Sequence, residues 1–393
     1  MEIVDITIIG AGVVGSAIAY ELSKTGHGVF VIEKNPGVTQ GENQSSRNAG
    51  VIHSGLFYDQ GTRPLKAALC PLGVRMLYDF CERHDVPHLR CGKLVVATSG
   101  KELQNLGVYM AQARANGVEA RMLSSEEVRA KEPNVRATGA IFLPSAGVVE
   151  PTSLVYKLFA LASNNGGHFL TNTELKALRI RSEGFELTVR NRAGEEDRFL
   201  SRKVVNSAGL YADEVARMLD PDSHYQIDPL RGEFARFYIR KRPDLMCRTN
   251  VYPAPLKVGL PTGSYWTVGT HITPTIETAA GGSWAAGPAA IVGPINGPAQ
   301  GKEDFDGEFK AMADYLQKVS PYFPGIRESD LEPQHAGVLA VLAGHKDWVI
   351  SRPYPGFINL LGLSSPALTA SLALADYVRR MMEESSWRIT SAE

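Results

Sequence analysis

The chain opens on an apolar run, Ile3 to Ile9, interrupted only by Asp5 and Thr7 and closed by Gly10, the pattern of a buried parallel strand. Val13 to Lys24 then carries helical spacing, Gly26 and Gly28 stop it, and Val29 to Ile32 forms a second apolar run ending at Glu33. Together these segments make one βαβ unit of about 30 residues. The stretch from Asn35 to Tyr58 is rich in Gly, Ser and Asn and has no sustained period. A connection of that length inside a compact domain points to a functional loop.

Further along, Leu65, Leu69, Leu72, Met76, Leu77 and Phe80 fall at helical spacing and predict a helix over Pro64 to Arg83. Leu94 to Ala97 reads as a strand and Lys101 to Asn116 as a helix, while Ser124 with Glu127 forms a capping box for a short helix ended by Pro133. Thr152 is placed to cap a helix over Leu154 to Ser163, with Gly166 and Gly167 as its stop. Leu175 to Ile180, Phe185 to Arg190 and Arg198 to Leu200 predict a three-stranded meander, and Lys203 to Asn206 a separate strand. Residues 251–301, dense in Gly, Pro, Thr and aromatics, suit β-hairpins. Phe309 to Val319 reads as a helix, Trp348 to Ile350 and Phe357 to Leu361 as strands, and Ala367 to Met382 as a long terminal helix.

Composition narrows the function classes. The 393 residues allow two or three domains, and 44% hydrophobic with 21% charged residues describes a folded globular chain. A formal charge of −1 provides no bulk attraction to nucleic acid, so a small-molecule ligand held by a local site is the expectation. The four cysteines, Cys70, Cys81, Cys91 and Cys247, show neither C-x-x-C nor metal-ligand spacing, so no metal is expected. No run reaches the 18 apolar residues of a membrane span, which predicts a cytoplasmic protein with peripheral membrane contact left open.

Gly10-Ala11-Gly12-Val13-Val14-Gly15 is a G-x-G-x-x-G turn between strand and helix. Its glycines allow a tight turn and close pyrophosphate approach, and the helix N-terminus faces the diphosphate. Glu33 lies 18 positions past Gly15 at the end of the second strand, where an acid bonds ribose hydroxyls and disfavours a 2′-phosphate. The βαβ unit thus predicts a dinucleotide, and the choice between FAD and NAD rests on segments further along the chain.

Two of them favour FAD: Ser45-Ser46 leading into Arg47-Asn48-Ala49-Gly50-Val51-Ile52-His53-Ser54-Gly55, and Val204-Val205-Asn206-Ser207-Ala208-Gly209. With them the chain resembles the FAD-dependent D-amino-acid oxidase and glycerol-3-phosphate dehydrogenase superfamily, and within it the L-2-hydroxyglutarate dehydrogenase or oxidase family. Leu65-Lys66-Ala67, Cys91-Gly92-Lys93-Leu94-Val95-Val96-Ala97-Thr98, Arg231-Gly232-Glu233-Phe234, Gly269-Thr270-His271-Ile272-Thr273-Pro274 and the run Ser365 to Ala373 carry the same resemblance.

The resemblance implies an α/β fold in which a Rossmann-like FAD-binding domain of the glutathione-reductase type (1–90, 145–215 and 335–385) is interleaved with a β-rich, α+β substrate domain (91–144 and 216–334). It implies non-covalent FAD and oxidation of a small 2-hydroxy acid, with O2 or a quinone as electron acceptor. Besides the glycine turn and Glu33, it sets Lys34, Ser45, Ser46, Asn48, Ala49, Gly50, Val51, Leu175, Ala208, Gly209, Gly337, Leu363, Ser364 and Ser365 at the cofactor. Gly362-Leu363-Ser364-Ser365-Pro366 would aim backbone N–H groups and a helix N-terminus at the flavin C2 carbonyl and N1.

Oxidising a secondary alcohol needs a base for the hydroxyl proton, and His53 and His271 are the candidates, with His335 as a third histidine near the substrate. Arg231, Arg47 and Lys257 are candidates for a carboxylate clamp, and Tyr252, Tyr265 and Trp266 for the pocket wall. Two departures from the family pattern stand out. Gly337-Val338-Leu339 replaces a Gly-Val-Arg or Gly-Ile-Arg, and residues 275–300 replace a short link. Both point away from 2-hydroxyglutarate itself, with Arg231 the cation to replace the missing guanidinium. An amino-acid or amine oxidase on the same fold and a non-catalytic dinucleotide-binding protein are the competing readings.

Overall fold

The computed structural model describes residues 2–41, 43–238, 241–245, 247–260, 263–267 and 269–383, with the backbone course alone for 256–260 and 263–267. Two eight-stranded sheets organise the described residues. The first sheet is built on the parallel strands Ile3–Ile9, Val29–Ile32, His168–Leu170, Glu196–Asn206 and Phe357–Leu361. Ile9 pairs with both Ile32 and Asn206, and Asn206 pairs with Asn359, so the carboxyl ends of the central strands share one edge. In open α/β sheets that edge is where ligands bind.

The helices Val13–Ser23, Pro64–His84, Pro151–Asn164 and Ala367–Glu383 cover one face of this sheet, burying Ile6, Ile8, Val29 and Val31 against Leu77, Leu158 and Leu374. The meander Thr173–Arg181, Gly184–Asn191 and Glu196–Asn206 extends the sheet. Its last strand runs on as the parallel strand that was expected to be separate. Ser201 lies in the middle of that polar stretch and is satisfied in place. Its Oγ accepts from Thr7 Oγ1 at 2.8 Å and donates to the Lys203 carbonyl at 2.7 Å, so the strand does not break.

The helix expected to be capped by Thr152 is capped instead by Glu150. Its Oε2 accepts from Ser153 N at 2.6 Å and from Thr152 Oγ1 at 2.7 Å, because Pro151 occupies the first helical position and Ser153 offers an N–H within the carboxylate's reach.

The second sheet runs, in spatial order, Leu331–Leu342, Ile227–Tyr238, Trp284–Pro298, His271–Thr278, Asn250–Pro253, Lys93–Ala97, Gly139–Leu143 and Arg121–Ser124. Residues 335–342, expected with the first domain, pair here with Ile227–Tyr238. The helix expected from Phe309 begins at Met312, and the Lys310 N–H ahead of it donates to Glu233 Oε2 at 2.6 Å. Asn250 pairs with Lys93 and Val251 with Ile272, so three segments far apart in sequence become neighbours.

Candidate active site

One cavity of about 860 Å³ runs along the carboxyl edge of the first sheet and onto the second. That is within the range of ligand and cofactor pockets. The glycine turn forms part of its wall. A Cβ on Gly15 would lie 1.9 Å from the Gly10 carbonyl oxygen, so only glycine lets the helix seat on the turn. Val13 N donates to Ser45 Oγ at 2.8 Å, which places Ser45 over the helix N-terminus. Glu33 also lines the cavity, and its Oε2 accepts from Ala11 N and its Oε1 from Asn35 N, both at 2.8 Å. Carboxylate lone pairs remain for ribose hydroxyls.

Gly10, Gly12, Val13, Val14 and Gly15 all line the cavity, as do Lys34, Ser45, Asn48, Ala49 and Val51. Leu175, Ala208, Gly209, Gly337, Leu363, Ser364 and Ser365 complete the expected cofactor wall. Asn48 staples its own loop, with Nδ2 donating to the carbonyls of Gln44 at 3.0 Å and Ser45 at 2.8 Å, and Oδ1 accepting from Gly50 N at 2.8 Å. Ser46 and Gly50 are not part of the lining. Ser46 turns its N–H and hydroxyl to Asn43 Oδ1, and a Cβ at Gly50 would sit 2.2 Å from the Val149 carbonyl oxygen. Both shape the loop from behind.

His53, His271 and Tyr252 also line the cavity. His53 comes directly after the short strand Val51–Ile52, and its N–H donates at 3.0 Å to Thr369 Oγ1 of the terminal helix. Its Nε2 lies 3.2 Å from Ser365 Oγ and its Nδ1 3.3 Å from Lys93 Nζ. The His271 ring stacks on Tyr252 with centroids 4.0 Å apart and an interplanar angle of 10°, and its Nδ1 lies 3.0 Å from Thr273 Oγ1. Burial holds both imidazoles well below the ordinary histidine range, helped at His53 by the positive charge of Lys93 and then by His271, and at His271 by Lys93. Both are therefore neutral at pH 7.

Two sequence expectations fail on contact with the geometry, and three more residues are left untested. Arg231 is 7% exposed and lies off the cavity lining. Its guanidinium is spent on the Glu233 carboxylate and on the carbonyls of Asp304 at 3.1 Å and Gly307 at 2.8 Å. His335 is also off the lining and stacks on Phe234 at 4.8 Å, with burial and then Arg47 and Arg236 holding its pKa down to about 4. Tyr265, Trp266 and Lys257 lie outside the described side chains. Arg47 does line the cavity, 3.9 Å from Asp306.

Sequence reasoning missed two lysines. Lys66 lines the cavity, buried, with Nζ 3.4 Å from Ser364 Oγ, and burial and then Arg63 bring its pKa down to about 8. Lys93 lies behind His53. The available signal was a charge set inside an apolar segment in each case.

The profile of the family described as FAD dependent oxidoreductase (DAO) matches residues 5–381. The chain belongs to the FAD-dependent oxidoreductase family. Among family members, it is 31% identical to the mitochondrial L-2-hydroxyglutarate dehydrogenase of Arabidopsis thaliana, over 96% of this chain and 83% of that protein. It is 28% identical to L-2-hydroxyglutarate dehydrogenase of Escherichia coli strain K12, over 95% of this chain and 92% of that protein. The fold matches FAD-bound, dithionite-reduced L-alpha-glycerophosphate oxidase from Mycoplasma pneumoniae with a TM-score of 0.82 at 23% identity, covering 97% of this chain and 95% of that one. Glycine oxidase from Geobacillus kaustophilus gives 0.79 at 21% identity, covering 98% and 96%. The family's cofactor is FAD, and the cradle at Gly12, Gly15 and Glu33 suits its diphosphate and ribose. Among the described residues, no cluster of His, Cys, Asp and Glu fits a metal and no helix is long and apolar enough to cross a membrane.

Proposed function

We propose that this protein oxidises a small 2-hydroxy acid to the 2-oxo acid, with His53 or His271 as the base that takes the hydroxyl proton. The observation that carries the reading is the pair of neutral imidazoles, His271 buried and His53 half-buried, on the wall of the cavity that also holds the dinucleotide turn. The names of the L-2-hydroxyglutarate dehydrogenase relatives support an alcohol donor over an amine donor. The glycine turn, Glu33 and the loop at Ser364 would hold FAD, which would supply a two-electron acceptor for the hydride of the carbinol carbon.

A neutral imidazole 3.2 Å from Ser365 Oγ is positioned to accept a proton at the cavity surface. Lys66 is the buried cation on that wall and offers a point charge to the acid's carboxylate. The first sheet would serve the cofactor and the second the substrate, with O2 or a quinone as the final acceptor and a cytoplasmic location. The test is anaerobic mixing of the purified flavoprotein with a panel of 2-hydroxy acids and amino acids. Flavin bleaching by a hydroxy acid supports the reading, and bleaching by amino acids alone overturns it.

A further inference from the structure

Lys93 opens a strand whose other residues, Leu94 to Ala97, are all apolar, and its side chain is 1% exposed. Among the described residues it forms no ion pair with a carboxylate. Its Nζ lies 3.3 Å from His53 Nδ1 and 4.1 Å from the centre of the Tyr252 ring. The remaining groups around it are the thiols of Cys70 and Cys91 and the imidazole of His271. Burial pushes both thiols up to about 12, so they are uncharged near pH 7, and His271 is neutral there as well. No negative charge stabilises an ammonium at this place. Burial brings the Lys93 amine down to about 7.

The two protonation states of Lys93 have opposite consequences for His53. An ammonium donates to Nδ1 and leaves the proton of the neutral ring on Nε2, the nitrogen at the cavity, where no lone pair then remains for a substrate. A free amine accepts from Nδ1–H and leaves the Nε2 lone pair facing Ser365 Oγ and the cavity. Only the second arrangement makes His53 a base.

We propose that Lys93 is the positioning residue of His53: its neutral amine fixes the imidazole tautomer and receives the Nδ1 proton as Nε2 takes the proton of the substrate hydroxyl. The inference rests on the reading of His53 as the base. In the step, the substrate O–H bond breaks as Nε2–H forms, and Nδ1–H breaks as a third N–H forms on Lys93. The imidazole ends neutral, the positive charge rests on Lys93, and the carbinol C–H electron pair leaves as hydride to the flavin of the family activity.

The test compares anaerobic flavin reduction by the best substrate of the panel, from pH 5.5 to pH 9, in wild type, Lys93→Met, Lys93→Gln, Lys93→Arg and His53→Gln, each with its flavin spectrum and melting temperature recorded. The wild-type rate should rise with pH through a limb near neutrality, because the amine must be free. Lys93→Met and Lys93→Gln should lose that limb and run slower by about a hundredfold, the low end of general-base assistance. Lys93→Arg, always cationic, should restore neither. A structural role alone would change melting and flavin retention without moving the limb. Retention of the limb in Lys93→Met or Lys93→Gln, or a wild-type rate and profile in Lys93→Arg, overturns the inference while leaving His53 as base. A wild-type rate and profile in His53→Gln overturns the underlying reading instead.

Discussion

The Glu33 carboxylate reaches from the end of the second strand to the backbone of the glycine turn, accepting the Ala11 N–H at 2.8 Å while holding Asn35 N with its other oxygen. The acid therefore fixes the turn's shape before any ribose arrives. Glu33→Ala should lower FAD affinity about tenfold to a hundredfold, the value of one charge-assisted hydrogen bond of roughly 1.5–3 kcal/mol. Glu33→Gln should fall between, since it keeps one acceptor. Titration of apoprotein with FAD measures both, and an unchanged dissociation constant in the alanine variant would remove Glu33 from the cofactor site.

Gly337 faces the loop that carries Arg47, and a Cβ there would lie 2.1 Å from the Arg47 carbonyl oxygen, backbone that cannot swing away. Gly337→Ala should force strand and loop apart. The expected cost is about 1–3 kcal/mol of stability from overpacking, together with weaker flavin retention, because the loop lines the cavity. Thermal unfolding monitored by flavin fluorescence reads both effects. A variant as stable and as yellow as the wild type would show that the loop has room to move.

The legible part of this protein is the part made by neighbours in sequence. Gly10 to Gly15, the strands around them and Glu33 lie within one βαβ unit, so period and spacing display the cradle directly. The cluster around His53 is made by register: Lys93, Tyr252 and His271 meet because Asn250 pairs with Lys93 and Val251 with Ile272. No local pattern encodes those pairings. Arg231 illustrates the opposite case. Strand alternation puts Arg231 and Glu233 on one face, so their ion pair is a consequence of a period of two, and the glycine between them suggested a ligand site where the structure has an internal clamp on residues 304–308.

His53→Gln or His271→Gln should slow flavin reduction about a hundredfold to ten-thousandfold at whichever residue is the base, with FAD retained. The direction of the shifts sets the sign of the pH dependence. Both imidazoles are held well below 6.5, so the neutral, proton-accepting form persists to pH values under the ordinary range, and the rate contributed by either is lost as pH falls through that lowered value. His53 and Lys93 touch, so their ionisations appear as two macroscopic steps of the pair. Stopped-flow reduction across pH separates the two residues. Wild-type rates and profiles in both single variants would exclude both.

FAD should leave the protein on acid precipitation. Cys70, Cys81, Cys91 and Cys247 are all absent from the cavity wall, and the first three are further disarmed by burial that pushes their thiols up to about 12. Yellow colour in the supernatant is the expected outcome. Colour fixed in the pellet would point to a histidyl link, for which His53 on the cavity wall is the candidate.

L-2-hydroxyglutarate should not be the best substrate. Leu339 lines the cavity at a position where the family resemblance implies an arginine, and Arg231, the sequence candidate to replace it, is occupied by Glu233 and the carbonyls of residues 304–308. The other arginines on the wall are partly committed, Arg47 near Asp306 at 3.9 Å and Arg63 to the Phe57 carbonyl at 3.2 Å. Of the lysines on the wall, Lys34 is paired with Glu303 at 2.8 Å and Lys346 is exposed, so Lys66 supplies the buried point charge, enough for one carboxylate and not for two. A second carboxylate buried against Leu339 would go uncompensated, at a cost of about 3–5 kcal/mol. A 2-hydroxy acid with an uncharged side chain should therefore reduce the flavin faster than L-2-hydroxyglutarate, and Leu339→Arg should narrow or invert that preference. The panel that tests the proposed function supplies the measurement, and L-2-hydroxyglutarate ranking first with the wild-type protein would show that another cation on the wall takes the second carboxylate.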